Sequence, residues 1–181
     1  MKPKLVIIIF GVLLAVIGFY VFRHCYVVMH DITQEIFGTQ QLRDAFISSD
    51  QVTAQRLRHR EGRPMGSDDL DYYEKESPVP VTGSWPQEIK SLLQRESSYD
   101  WSTGTAKSCI LDYGVLITFR SSQRTVRVAI CFNCNQLGIY DGSDNTAKRV
   151  NAEMDFDPIR KELVTVAKFI FLKDSDIQEL R

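Results

Sequence analysis

Apolar and polar positions along the chain fall into three kinds of pattern. Leu5 to Phe22 is continuously uncharged, eighteen residues reading LVIIIFGVLLAVIGFYVF. At about 1.5 Å per residue a helix of that length spans roughly 27 Å, close to the ~30 Å hydrocarbon core of a bilayer. Further on, Leu42, Ala45 and Phe46 stand at helical spacing, with Ile32 and Ile36 extending the pattern backwards. Val52 to Leu57 alternates as a first strand, and Val79 to Val81 reads as a second. Ser84-Trp85-Pro86-Gln87 opens a helix, with Ser84 as cap, Gln87 completing a capping box and Pro86 in the first turn. Ile89, Leu92 and Leu93 are its buried face, and Tyr99 and Trp101 cover the end of the core.

The densest β pattern follows. Val115, Ile117 and Phe119 alternate with Leu116, Thr118 and Arg120, Ser121-Ser122-Gln123 turns the chain, and Val126, Val128, Ile130 and Phe132 return it. Leu137 to Tyr140 adds a third strand, ended by Asp141 to Asn145. Asp157 and Pro158 then start a helix whose stripe is Ile159, Leu163, Val166 and Ile170, and Asp174-Ser175 opens a last short turn. Runs of antiparallel strands with helices set apart predict an α+β class: a two-layer sandwich of an antiparallel sheet with helices on one face, preceded by an N-terminal transmembrane helix. The domain organisation expected is a cytoplasmic N-terminus over 1–4, an anchor over 5–22, a juxtamembrane spacer helix over 23–50 and the α+β domain over 51–181.

Charge orients the anchor. Lys2 and Lys4 precede it, while Asp31 and Glu35 lie beyond Arg23 and His24, so the N-terminus is expected in the cytoplasm and the domain outside it. A cleaved signal peptide is the alternative, but Phe19 to Arg23 offers no small-residue cleavage site. Cys25 is then an inert thiol at the membrane surface. The chain carries 22 basic and 23 acidic residues, and two of the basic ones are Lys2 and Lys4. The domain is acidic on balance, which gives no support to nucleic-acid binding. The expected partners are the membrane, through Leu5–Phe22, and an unidentified protein.

Residues 59–77 read as a polar insertion. Its Asp68, Asp69, Asp71, Glu74 and Glu76 lack the spacing of a calcium loop and are expected to form a solvated surface. Candidate chemistry lies elsewhere, in Cys109, Cys131 and Cys134. Strand parity puts Cys109 and Cys134 on one face of the hairpin and Cys131 on the other. A Ser121-Ser122 turn sets Cys109 opposite Cys134, whereas a Ser122-Gln123 turn leaves them diagonal and less suited to a disulfide. A Cys109–Cys134 disulfide is the leading expectation, closing a loop worth roughly 3 kcal/mol; Cys131 is the alternative partner, and three free thiols remain open. The CxxC ends a strand with no helix after it, unlike a redox motif that uses a helix N-terminus to acidify its thiol. A zinc site needs four ligands and could draw only on these cysteines and His59, since His24 and His30 lie by the anchor. Asp155 and Asp157 form a carboxylate pair, but Asp157 is taken as a helix cap. No catalytic residue, metal site or cofactor is assigned.

TVRVAICFNCNQ, with SSDQVTAQRL upstream, Lys107-Ser108-Cys109 before the hairpin and the Asp-Pro helix at the end, resembles an uncharacterised bacterial family of small exported, membrane-anchored α+β proteins. The resemblance covers roughly residues 51 to 172 and implies no activity. The expected function is a single-pass, extracytoplasmic interaction or structural module without catalysis. The alternative is a thiol-redox or zinc-binding protein that uses Cys109, Cys131 and Cys134.

Overall fold

The computed structural model describes residues 32–63, 69–101, 107, 109–142, 148–151 and 154–181. The expected anchor, Leu5–Phe22, lies outside these; among the described residues no helix is long and apolar enough to cross a membrane.

Two short helices come first, α1 (Ile32–Phe37) and α2 (Gln40–Ser48). Gly38 turns the chain between them at φ +69°, where a side chain is strained, and an added Cβ would stand 2.9 Å from the Val150 carbonyl oxygen. Thr39 caps α2 by accepting the Leu42 amide at 3.2 Å. Then follow β1 (Gln51–His59), a 3₁₀ turn over Leu70–Tyr72, β2 (Tyr73–Lys75), β3 (Val79–Pro80) and α3 (Trp85–Leu93). After a 3₁₀ turn over Glu96–Ser98 come β4 (Val115–Arg120), β5 (Thr125–Cys131), β6 (Gln136–Asp141), β7 (Lys148–Arg149) and β8 (Met154–Asp155). The described chain closes with a 3₁₀ turn over Asp157–Ile159, α4 (Arg160–Ile170) and α5 (Ser175–Gln178).

The fold is α+β, and among the described residues every strand pairing is antiparallel. Four long strands in the order β1-β4-β5-β6 form the centre, with β2 and β3 along the outer edge of β1 and β7 and β8 along that of β6. Short strands on both flanks leave little open ladder for another chain to extend. One sheet face carries Val52, Ala54, Val115, Ile117, Phe119, Val126, Val128, Ile130, Leu137 and Ile139, and core side chains from each of the described helices, α1 to α5, join this cluster. The second face carries Leu57, Leu116, Ala129, Cys131 and Tyr140 and clusters with Leu70, Tyr73, Leu111 and Tyr113, none of them in an α-helix.

Several local expectations change. Residues 32–48, read as part of a spacer, belong to the core: Ile36, Phe37, Leu42 and Phe46 are buried, and the Phe46 ring lies 4.9 Å from Phe37 and 4.5 Å from Phe119. The apolar stripe of α2 needs an apolar partner, and the β4–β5 face supplies it. The 59–77 insertion is likewise not solvated throughout. Its acidic side chains at 69, 71, 74 and 76 are exposed, but Leu70 and Tyr73 are buried because the second sheet face is itself apolar and must be covered. Asp68 lies outside the described residues.

The capping box at α3 does not form. Ser84 has helical dihedrals and makes no side-chain cap, and its hydroxyl donates to the Glu88 carboxylate instead. Lys90, on the same helix, is buried and donates to the carbonyls of Ile47 and Ser49 at 3.0 and 2.6 Å, a cation set on the last turn of α2. Burial lowers its pKa, with Asp50 acting in the opposite direction. β7 and β8, two residues each, had no signal in the alternation pattern.

Candidate functional site

The β5–β6 turn is where the candidate chemistry collects. Cys131 ends β5, residues 132–135 make the turn, and Gln136 pairs back with Cys131. Asn135 holds the left-handed conformation at φ 55°, which asparagine tolerates better than most side chains. Cys109, on the irregular segment that leads into β4, forms a disulfide with Cys134, with the two Cα atoms 5.6 Å apart.

The expected pair is therefore present, but the register that was to produce it is not. β4 and β5 pair Phe119 with Val126 and Val115 with Ile130 around a Ser121–Arg124 turn, which is the Ser122-Gln123 register. Extended ladders would leave Cys109 and Cys134 diagonal. They meet because neither lies on a ladder: β4 begins only at Val115, and Cys134 sits in the turn. The parity expectation fails for the same reason. Cys131, buried with a free thiol, and Cys134 share the second-face cluster. Cys109 is exposed.

A polar network surrounds this turn. Lys107 donates to the Cys134 carbonyl at 3.0 Å and pairs with Asp155 at 2.6 Å and Asp157 at 2.8 Å. Asn135 donates to Asp157 and accepts from Arg160, which also donates to the Phe132 carbonyl at 2.6 Å. Burial opposes the Lys107 charge, but its bonds to Asp155 and Asp157 outweigh this and raise its pKa. The Asp157 carboxyl is held below the usual carboxylate range, first by Lys107 and then, against burial, by Asn135. The Asp155 and Asp157 carboxylates are thus bridged by one lysine. Asp157 is not the cap expected of it: the 3₁₀ turn that begins there is capped by no side chain, and its carboxylate serves the network. The only sequence sign of this network was the short spacing between Asp155, Asp157 and Arg160.

His59 does not join the cysteines. Its ring Nε2 lies 2.8 Å from the Arg63 carbonyl oxygen and the ring packs edge-on to Tyr73. With two of the sulfurs bonded to each other, the four-ligand zinc arrangement is not made, and among the described residues no group of His, Cys, Asp and Glu is placed to hold a metal ion. His24, His30 and Cys25 lie outside the described residues.

A second feature is an open groove of about 510 Å³ at the other edge of the sheet, lined by Arg58, Glu76, Val79, Ile170, Leu172 and Asp174 among others. Its apolar wall is unusually open: Leu172 is 71% exposed and Val79 is also exposed. Its polar end is a closed charge set in which Arg58 bonds Glu76 at 2.9 Å and Asp176 at 3.2 Å.

Comparison with known proteins found no match among family models, curated proteins or solved structures, so the reading of both features rests on this chain's own residues.

Proposed function

We propose that the chain is a single-pass, membrane-anchored protein whose extracytoplasmic α+β domain is an interaction module without catalysis. Leu5–Phe22 is the anchor, with Lys2 and Lys4 on the cytoplasmic side. The Cys109–Cys134 disulfide supports this placement, because such bonds persist where thiols are not kept reduced.

The observation that carries the interaction reading is the groove beside Leu172. A leucine left this open beside Val79 offers apolar area that the domain's own core does not use. Its occupant is an apolar side chain of a partner protein, not an added strand: Pro78 precedes β3 and Pro80 ends it, and it is these prolines whose nitrogens face away from β1.

Two measurements test the reading. Protease added to intact spheroplasts of an expressing bacterium should digest the domain; protection until lysis overturns the topology. Cross-linking in membranes of the full chain should trap a discrete partner band that Leu172→Asp weakens at least about tenfold. A band unchanged by that substitution overturns the groove as the contact.

A further inference from the structure

The free thiol of Cys131 and the Cys109–Cys134 disulfide are closer to one another in chemistry than a bystander and a staple. Cys131 ends β5 and Cys134 lies three residues on, within the 132–135 turn whose chain returns to pair Gln136 with Cys131. A chain turning back within that length can hold residues three apart at the Cα separation of about 4.4–6.8 Å that a disulfide spans. Both residues are buried in one cluster. The segment 109–112 touches each sulfur: Cys134 Sγ lies 3.3 Å from the Ile110 carbonyl oxygen, and the Asp112 amide donates to Cys131 Sγ at 3.4 Å. Cys109, the third sulfur, is exposed and stands on a segment outside the ladder, so it can leave without breaking a strand.

We propose that Cys131 is an exchange thiol for the Cys109–Cys134 disulfide, so that Cys131–Cys134 is a second pairing and Cys109 becomes a surface thiol open to modification by low-molecular-weight disulfides. The Cys131 thiolate attacks Cys134 Sγ, the Cys131–Cys134 bond forms, the Cys109–Cys134 bond breaks, and Cys109 leaves as a thiolate. The proton lost by Cys131 to solvent is balanced by one taken up at Cys109, and the step is redox-neutral. An external disulfide RS–SR is then attacked by Cys109, giving Cys109–S–SR and releasing RS⁻. The attacking thiol must be Cys131, since it is the free cysteine among the described residues. This inference does not depend on the groove or on a partner protein.

The test uses the purified full chain in detergent with Cys25→Ser, oxidised glutathione as probe, and no added reductant. After acid quench and alkylation, peptide mapping should find the glutathione adduct on Cys109 together with a Cys131–Cys134 bond. In Cys131→Ser the Cys109 adduct should fall at least about tenfold while Cys109–Cys134 stays intact. Cys109→Ser should place Cys131 and Cys134 in one disulfide. The proposal is overturned if the adduct in the otherwise unaltered chain forms on Cys131, if none forms, or if Cys131→Ser leaves the Cys109 adduct unchanged. Should Cys109→Ser fail to fold, the mapping of the chain with Cys109 in place still decides.

Discussion

Arg56 and Asp174 stand 118 residues apart in sequence and meet at 2.7 Å, with side chains only 7% and 11% exposed. Arg56 also donates to the Gly114 carbonyl and lies 3.6 Å from Asp176, while the other Asp174 oxygen caps α5 by accepting the Ile177 amide at 3.0 Å. One carboxylate therefore ties the final helix both to itself and to β1.

Replacing Asp174 by Asn keeps the cap and removes the charge. Stripping one partner from a buried ion pair should cost about 3 kcal/mol, the lower end of the usual range because Asp176 remains near. The check is a fall in the urea midpoint with an unchanged slope. The pH dependence has a defined sign. Burial alone would raise the Asp174 pKa, but the bonds from Arg56 and the Ile177 amide outweigh it and leave the value lowered. Its stabilisation is fully present above the unfolded carboxylate value of about 3.9 and is lost as pH falls through the lower folded value. Asp174→Asn should flatten the acid limb of the stability curve. An acid limb identical to that of the unaltered chain would show that Asp174 is not the group that titrates.

The boundary of the domain is equally open to test. Phe46 is fully buried between Phe37 and Phe119, so Phe46→Ala should cost about 3–5 kcal/mol. A chain begun at residue 51 should fail to unfold cooperatively, whereas one begun at residue 32 should do so with a sharp thermal transition. Equal cooperativity in the two would return residues 32–48 to the role of a spacer.

What the sequence made legible was the part that repeats. The alternation of Val115, Ile117 and Phe119 with Val126, Val128 and Ile130 is a two-residue period repeated long enough to specify both strands and the face they share. The stripe of α4 was legible for the same reason, a period repeated over several turns. β7 and β8 were not, because two residues carry no period. Leu70 and Tyr73 were hidden in a stretch whose composition is polar; their burial is dictated by the second sheet face, which local sequence cannot see. The cysteine pairing was inferred from strand parity, yet it arises where the strands stop. Lys90 carried no signal, since a lysine on a helix ordinarily reads as solvated.

Gly138 on β6 is required by a tyrosine on the segment that leads into β4. An added Cβ would stand 2.7 Å from the Tyr113 hydroxyl, and Tyr113 and Tyr140 are buried with their hydroxyls 3.2 Å apart. Gly138→Ala should destabilise by about 1–3 kcal/mol, as overpacking does in a filled core. Tyr113→Phe removes the clashing atom, so the alanine should cost less in that background. A double-mutant cycle in chemical denaturation measures the coupling, and strictly additive costs would mean that the backbone moves away instead.

The edge beside the groove makes the last prediction. Val81 donates its amide to the Val52 carbonyl at 2.9 Å, and β3 pairs Val79 with Ala54 and Pro80 with Thr53. In an antiparallel ladder alternate residues turn their amides outward, so with 79 and 81 facing β1 the outward positions are 78 and 80. Both are proline, and the edge has no donor to offer a neighbouring chain. Replacing Pro78 and Pro80 by threonine restores two outward N–H groups on an edge beside exposed Val79 and Leu172. The double variant should show concentration-dependent association by sedimentation, with added β signal in the infrared amide band. If it sediments as the unaltered chain does at every concentration, the prolines are not what keeps this edge from pairing.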